Sequence, residues 1–195
     1  MKIFPTELPD VLLLEPVRRG DDRGMFVETY RRAVLEDAGA SVEFVQDNHS
    51  RSAKRGTIRG LHFQREPRAQ DKLVRVVRGC VLDVVVDIRP SSPTFGRHVA
   101  IELSADNWRQ LFVPRGFAHG FATLTDEAEV LYKCSDYYSP EHEGGLRWDD
   151  PALAIDWPFE PGESLTINAR DSAWLDLRDQ PAWGADSASS ASSSR

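Results

Sequence analysis

The chain has 195 residues, with 24 Lys or Arg against 31 Asp or Glu and a formal net charge of -7. This length suits one domain that can bury its own hydrophobic core. The acidic balance argues against nucleic acid or an anionic membrane as a partner, so an anionic ligand requires a local basic cluster, and no apolar stretch approaches the ~18 residues of a membrane span.

Short runs rich in Val, Ile and Phe recur between turn residues, which predicts strands. In chain order they are VLLLEPV, MFVETY, EFVQDN, KLVRVVRG, CVLDVVVDIR, HVAIELS, RQLFVP, AHGFATL, EVLYKCSDYY and LAIDWP. The only good helix candidate is RRAVLEDAGA, residues 31–40, where a Gly provides the stop. So many strands with so little helix predict an all-β sandwich or barrel.

Residues 1–183 are expected to form one domain. The segment 184–195 is rich in Ser and Ala, buries nothing by its composition, and is predicted to be a disordered tail. Cys80 and Cys134 show no CxxC or Cys/His spacing, and the first ten residues, MKIFPTELPD, lack the hydrophobic run of a signal peptide. We therefore expect a cytoplasmic protein.

Two segments resemble the paired motifs of the cupins: RGLHFQREPRAQDKLVRVVRG, residues 59–79, and VPRGFAHGF, residues 113–121. In metal cupins these motifs supply three His ligands and one Glu ligand. The four corresponding positions here are His62, Gln64, Lys72 and His119. An amide is a poor substitute for imidazole, and a charged ammonium repels a divalent cation. The sequence therefore predicts no metal site.

The same segment offers groups for proton transfer. Lys72 brings a positive charge to the position of the missing cation, where it can stabilise an oxyanion that develops on a substrate. His62, without a metal to bind, suits a general base near neutral pH. The cations around His62 are too many for an ordinary solvated strand of an acidic chain: Arg59, Arg65, Arg68, Lys72, Arg75 and Arg78. These residues predict removal of a proton from a carbon next to a ketone.

Seven segments, in chain order, resemble the dTDP-4-dehydrorhamnose 3,5-epimerases of the dTDP-L-rhamnose pathway: FVQDNHS, RGLHFQ, AQDKLVRVVRG, VVDIRPSSPTFG, RQLFVPRGFAHGFATL, YKCSDYYSPEHEGG and WDDPALAIDWP. The resemblance runs from about Val11 to Asp171. It implies a cofactor-independent, dimeric, cupin-like jelly roll. The implied reaction inverts C3 and C5 of dTDP-4-dehydro-6-deoxy-D-glucose, the two carbons that flank the C4 ketone.

The resemblance also implies catalytic residues. His62 of RGLHFQ corresponds to the base, and Tyr132 corresponds to the acid that returns a proton on the opposite face. Asp171 of INARD matches the carboxylate that orients the base, while Asp83 is a rival partner for the same His. Lys72 corresponds to the cation that stabilises the enolate.

The substrate-binding residues are implied in the same way. His119 is expected to contact the sugar, and Tyr138 to stack on thymine. The remaining contacts are expected from Arg23, Phe26, Glu28, Gln46, Asn48, Arg59, Glu143 and Arg170. Arg170 stands where the family usually has Lys, which keeps the charge but changes the hydrogen-bond geometry. Because some nucleotide contacts in the family come from a neighbouring subunit's amino-terminal strand, we expect a homodimer, and pairing also covers an exposed strand edge.

Three other functions stay open. Sugar-tailoring relatives that invert only C3 or only C5 look almost the same. A metal-dependent cupin enzyme, such as a dioxygenase or a sugar-phosphate isomerase, requires metal binding at His62 and His119 despite Gln64 and Lys72. A non-catalytic module that binds sugar nucleotides is disfavoured by Tyr132.

Overall fold

The computed structural model describes residues 1–160, 162–181 and 183, so the predicted tail at 184–195 lies outside the described residues. The strands are β1 (Lys2–Pro5), β2 (Leu12–Glu15), β3 (Arg18–Asp21), β4 (Gly24–Val27), β5 (Gln46–Ser52), β6 (Ile58–Gln64), β7 (Lys72–Arg78), β8 (Cys80–Asp87), β9 (His98–Ser104), β10 (Gln110–Val113), β11 (Phe117–Thr123), β12 (Ala128–Cys134) and β13 (Glu143–Gly145). The helices are α1 (Arg32–Asp37) and α2 (Ala169–Ser172), with single 3-10 turns at Pro140–His142 and Leu177–Asp179.

The strands form two antiparallel sheets and a separate hairpin. The first sheet has the order β1-β2-β10-β7-β12-β5, and the second has the order β13-β6-β11-β8-β9. The chain changes sheet repeatedly, for example between β6 and β7 and again between β7 and β8. This crossing from sheet to sheet is typical of a jelly roll. The predicted all-β, cupin-like jelly roll is confirmed.

Apolar side chains fill the space between the sheets and cover one further face of each. The residues between the sheets include Val74, Val76, Val85, Leu103, Leu111 and Val130. Leu35 of α1 packs with Leu14 and Leu73 of the first sheet. Leu146, Leu153 and Trp157 pack with Val84 and Val86 of the second sheet. Because the second sheet is covered on both faces, every residue of β11 is buried.

One predicted strand is wrong. LAIDWP, residues 153–158, forms no strand. Its alternating apolar residues, Leu153, Ile155 and Trp157, pack on the second sheet instead. The Trp157 indole N–H donates to the carbonyl of Trp148 at 2.8 Å, so its polar group is satisfied without a strand partner. The alternation of apolar residues therefore reflects packing of this segment against the sheet, and not pairing within a sheet.

The helix prediction was partly wrong. Helix α1 covers residues 32–37 of the predicted 31–40, and Gly39 follows it with a φ of 89°. A second helical turn, α2, was missed. Asn168 caps this turn by accepting a hydrogen bond from the Asp171 N–H at 2.7 Å. An Asn followed three residues later by an acidic residue is a recognisable helix start.

No helix in the described part of the chain is both long enough and apolar enough to cross a membrane.

Candidate active site

A cavity of about 380 Å³ opens between the two sheets. It brings together eleven of the fourteen predicted site residues: His62, Lys72, Tyr132, Asp171, Gln46, Asn48, Arg59, His119, Tyr138, Glu143 and Arg170. The other three, Arg23, Phe26 and Glu28, lie outside its lining. Tertiary structure thus joins residues from β5, β6, β7, β11, β12, β13 and α2 in one place.

His62 forms a hydrogen-bonded pair with Asp171. The distance from His62 Nε2 to Asp171 Oδ1 is 2.8 Å, and the Gly60 N–H donates to Asp171 Oδ2 at 3.0 Å. The Asp171 side chain is fully buried, whereas 25 % of the His62 side chain stays exposed. Because the carboxylate accepts a hydrogen bond, His62 Nε2 carries the proton and Nδ1 is left to accept one.

The buried carboxylate of Asp171 is held in its charged form. Burial alone raises the pKa of Asp171, but the hydrogen bonds from His62 and Gly60 and the positive charge of Arg170 outweigh it and lower the pKa to about 2. An ionised partner stabilises the imidazolium that forms when His62 takes a proton.

The rival partner, Asp83, binds a different histidine. His119 Nε2 lies 3.0 Å from both carboxylate oxygens of Asp83, and the Asp83 side chain is fully buried. His119 and His62 are directly opposite each other on β11 and β6. Two His–Asp pairs therefore stand side by side, and the alternative that Asp83 orients His62 is wrong.

Tyr132 reaches the cavity from the opposite sheet. It lies on β12 of the first sheet, whereas His62 lies on β6 of the second. Burial raises the pKa of Tyr132, the nearby Cys134 thiol adds to this effect, and Arg59 opposes it. The phenol therefore stays protonated at neutral pH and has a proton to donate.

Lys72 is buried, with 9 % of its surface exposed. Its Nζ donates to the main-chain carbonyl of His62 at 3.5 Å. Burial lowers the pKa of Lys72, while the charges of Cys134, Asp83 and Glu143 oppose the shift. Burial thus works against the positive charge predicted at this position, and the neighbouring acidic groups favour it.

The donor set at the four metal-cupin positions does not suit a metal. Gln64 uses both ends of its amide on the main chain, with Nε2 donating to the Arg68 carbonyl at 2.5 Å and Oε1 accepting from the Ser139 N–H at 2.7 Å. His119 is hydrogen-bonded to Asp83, and the Lys72 side chain is an ammonium group and not a metal ligand. Within the ranges that the structure describes, no three His, Cys, Asp or Glu side chains are grouped closely enough to hold a metal ion.

Polar and aromatic groups form the outer part of the cavity. The Tyr138 hydroxyl donates to Glu143 Oε2 at 3.0 Å, and Arg170 donates to the same oxygen at 2.9 Å. Gln46 Oε1 accepts from the Tyr138 N–H at 3.0 Å and Gln46 Nε2 donates to Asn48 Oδ1 at 3.1 Å. This end of the cavity offers an aromatic face beside several hydrogen-bonding side chains.

Arg59 stands between the two sheets. Its guanidinium donates to Ser52 Oγ at 3.1 Å and to the Arg51 carbonyl at 2.9 Å. These contacts direct the planar group along the cavity wall, where it can also pair with an anionic oxygen.

The three predicted residues outside the cavity belong to the β3–β4 hairpin or follow it. The Arg23 guanidinium pairs with Asp21, and Arg31 pairs with Glu28. Phe26 is 72 % exposed. Within the described residues, β3 and β4 pair only with each other and join neither sheet, although Arg18 of β3 donates to the Asp106 carbonyl at 3.2 Å.

Other residues line the cavity but were not predicted to bind substrate: Ser50, Phe63, Gln64, Gln70, Gly120, Phe121, Cys134 and Asn168. A sequence signal existed for Ser50, because it continues the alternation of Gln46 and Asn48 along β5. Cys134 likewise follows Tyr132 by two residues on β12. Asn168 could be found only as the cap of α2.

Comparison with known proteins identifies the family. The model of the dTDP-4-dehydrorhamnose 3,5-epimerase family matches residues 5–179. The chain belongs to this family. The prediction that the protein is an isomerase is therefore confirmed.

Relatives match over most of the chain. The dTDP-4-dehydrorhamnose 3,5-epimerase of Shigella flexneri is 56 % identical over 161 residues, covering 82 % of this chain and 88 % of the relative. The crystal structure of the Bacillus anthracis dTDP-4-dehydrorhamnose 3,5-epimerase with TDP and PPi bound is 50 % identical, with a TM-score of 0.85, and the match covers 89 % of this chain and 97 % of that one.

A less similar structure carries a narrower activity. ChmJ, a 3'-monoepimerase from Streptomyces bikiniensis in complex with dTDP-quinovose, is 34 % identical with a TM-score of 0.83, and the match covers 89 % of this chain and 87 % of ChmJ. The same fold therefore occurs in enzymes named as 3,5-epimerases and in one named as a 3'-monoepimerase.

Proposed function

We propose that this protein inverts C3 and C5 of dTDP-4-dehydro-6-deoxy-D-glucose to give dTDP-4-dehydro-L-rhamnose, without a cofactor. The observation that carries the proposal is the placement of His62 and Tyr132 on opposite sheets of one cavity. Inversion needs a base on one face of the sugar and an acid on the other, because a single group returns the proton to the face from which it came. The identity to the Shigella flexneri enzyme favours the double inversion.

The proposed reaction begins at His62. Its free ring nitrogen takes the proton from C3 or C5, and the electron pair moves into the ring to form an enolate with its charge on the C4 oxygen. Asp171 stabilises the resulting imidazolium and holds the ring in place. Tyr132 then gives its phenolic proton to the same carbon from the other face, and exchange with water restores both groups.

The enolate needs a positive partner, for which we propose Lys72. Its buried ammonium lies next to the His62 main chain, and a charge in such a poorly solvated place interacts strongly with an oxyanion. We further propose that His119 contacts the sugar while Asp83 holds its ring. Neither step requires a metal or an organic cofactor.

The outer part of the cavity is proposed to bind the nucleotide. Tyr138 presents a half-exposed ring that suits stacking on thymine. The groups proposed to bind the rest of the nucleotide and its diphosphate are Gln46, Asn48, Arg59, Glu143 and Arg170. Arginine suits a diphosphate because its planar fork donates two hydrogen bonds at once.

We propose a homodimer in which the β3–β4 hairpin reaches the partner's cavity and delivers Arg23, Phe26 and Glu28. The exposure of Phe26 and the absence of pairing between the hairpin and either sheet, among the described residues, support this arrangement. We also propose that residues 1–183 act as one domain. A cytoplasmic location is proposed because Cys80 and Cys134 are both free thiols.

The test is turnover of dTDP-4-dehydro-6-deoxy-D-glucose in heavy water, followed by a reductase that accepts only the doubly inverted product. Deuterium at both C3 and C5 together with reduction supports the proposal. Deuterium at one carbon without reduction indicates a monoepimerase such as ChmJ. No deuterium at either carbon refutes both, and stoichiometric Fe, Mn or Zn in protein purified without chelators refutes the cofactor-independent mechanism.

A further inference from the structure

Gln64 occupies a special place in the cavity. It ends β6, two residues after His62, and its main chain pairs with Glu143 of β13. Only 5 % of Gln64 is exposed, although it lines the cavity. A buried amide must satisfy its donors and its acceptor within the protein, so its partners reveal what it holds together.

The partners of the Gln64 side-chain amide are all main-chain groups of two loops. Its Nε2 donates to the carbonyls of Arg68, at 2.5 Å, and Tyr137, at 3.3 Å. Its Oε1 accepts from the Ser139 N–H at 2.7 Å. The amide therefore ties the loop that precedes β7 to the loop that follows β12.

Tyr138 lies between the two residues that Gln64 holds in the second loop. The Tyr138 N–H donates to Gln46 Oε1 at 3.0 Å, so amide side chains hold the main chain before, at and after this residue. The hydroxyl at the other end of the side chain donates to Glu143. Because Tyr138 is 51 % exposed, packing alone holds the ring weakly. Hydrogen bonds at its two ends set the direction of the ring.

We infer that Gln64 is a positioning residue that presents the Tyr138 ring to the nucleotide base and so sets nucleotide affinity. The inference rests on the proposed function. A ring that is already oriented loses less conformational freedom when a base stacks on it. Removing the Gln64 amide frees the main chain on both sides of Tyr138, so that binding must first order this loop.

Two substitutions remove the amide in different ways. Gln64→Glu keeps the shape but cannot donate to the Arg68 and Tyr137 carbonyls, and it sets a carboxylate beside Glu143. Gln64→Met is neutral and keeps the length, which separates lost hydrogen bonds from added charge. The matched control is Gln180→Glu, because Gln180 Nε2 also donates to two main-chain carbonyls, those of Gly145 at 2.5 Å and Leu175 at 3.4 Å, and Gln180 does not line the cavity.

The measurement is dTDP affinity by calorimetry together with kcat and KM for the keto sugar. Both Gln64 variants are expected to raise Kd and KM about tenfold, which lies within the range for loss of one base–aromatic stack. We expect kcat to stay within about threefold of wild type, since His62 keeps its pair with Asp171. Gln180→Glu is expected to change neither constant.

A double-mutant cycle with Tyr138→Ala shows whether Gln64 acts through Tyr138. In the Tyr138→Ala background, either Gln64 substitution is expected to have almost no further effect on Kd. Additive effects overturn the inference, as does a fall in kcat with unchanged Kd, which places the action of Gln64 on His62. If neither Gln64 variant folds, Gln64 is a general structural residue and the inference is also overturned. Wild-type protein that fails to bind dTDP refutes the proposed function itself, which distinguishes the two failures.

Discussion

The two His–Asp pairs of the cavity differ in how each carboxylate is held. Asp171 comes from α2 and divides its oxygens between His62 and the Gly60 N–H. Asp83 comes from within β8 and directs both oxygens at His119. The His62 side chain is 25 % exposed, whereas the His119 side chain is 8 % exposed.

This difference teaches that a His–Asp hydrogen bond alone does not make a base. Proton abstraction requires a free ring nitrogen that a substrate can reach, together with an acid on the other side of the substrate. In the proposed mechanism His62 meets the first condition by its exposure, and Tyr132 on the opposite sheet meets the second. His119, nearly enclosed beside its carboxylate, is better suited to fix a donor for a substrate oxygen.

The largest expected effect comes from replacing the two histidines in turn. His62→Ala should lower deuterium exchange at both C3 and C5 by about 10⁴-fold, the upper end of what a general base contributes. His119→Ala should cost about tenfold, mainly in KM, as expected for one lost hydrogen bond to substrate. Exchange rates followed by NMR in heavy water test this, and near-normal exchange in His62→Ala would show that another group takes the proton.

The carboxylates give the next comparison. Asp171→Asn should reduce kcat about 10³- to 10⁴-fold, because an amide that donates to Nε2 fixes the wrong tautomer of His62. At neutral pH Asp83→Asn acts mainly on His119, the ring that is proposed to contact the sugar, so a loss nearer tenfold is expected. Steady-state kinetics of the two variants, both checked for folding by circular dichroism, decide the matter. Equal losses would contradict the division of roles between the pairs.

Tyr132→Phe separates the two halves of the reaction. His62 and Asp171 can still form the enolate, but the only proton then available returns from His62 to the original face. Inversion is expected to fall about 10²-fold or more, the lower range for a missing general acid, while deuterium exchange falls much less. Both are measured in the same sample. An unchanged ratio of inversion to exchange would remove Tyr132 from the mechanism.

The smallest expected effect is on the pH dependence of activity, and it links Lys72 to the His119–Asp83 pair. Lys72 acts when charged, and burial lowers its pKa, so activity should fall as pH rises through a value below the ordinary ~10.4 of lysine. The raised pKa of Tyr132 keeps the acid protonated over this range. Because the charge of Asp83 opposes the shift at Lys72, Asp83→Asn should move the alkaline limb of kcat to lower pH.

The control for this pH effect is Lys72→Arg, since a guanidinium stays charged above pH ~12. Whatever activity remains in Lys72→Arg should show no alkaline limb in the range where wild type loses activity. A limb that persists unchanged in this variant would assign the titration to a group other than Lys72. The measurement is kcat as a function of pH, from about pH 7 to about pH 11, for the wild type, Asp83→Asn and Lys72→Arg.

Local patterns in the sequence predicted the strands and part of the chemistry. Alternating and continuous apolar runs predict strands because side chains on a strand alternate between two faces, and most of these runs became strands. The cupin-like motifs brought His62, Lys72 and His119 to notice because their spacing matches ligand positions. LAIDWP failed because an apolar alternation also suits an irregular segment packed on a sheet.

The pairing of the site residues could not be read from the same patterns. His62 and Asp171 are 109 positions apart, and Asp83, on a predicted strand near the site, remained a rival partner for His62. Only the packing of α2 against β6 and the pairing of β8 with β11 decide which carboxylate meets which ring. The use of Gln64 was equally hidden, because its partners are main-chain groups whose positions no side-chain pattern records.

The sequence by itself determined the all-β class, the likeness to a sugar-nucleotide epimerase, and the residue types available for proton transfer, since these follow from local periodicity and motif spacing. Tertiary structure decided how those groups are divided between two sheets, which of the two histidines is the more exposed, and in which direction burial shifts the pKa of Lys72 and of Tyr132. Such properties depend on distances and desolvation between residues that are remote in the chain, and these arise only when the two sheets close on one another.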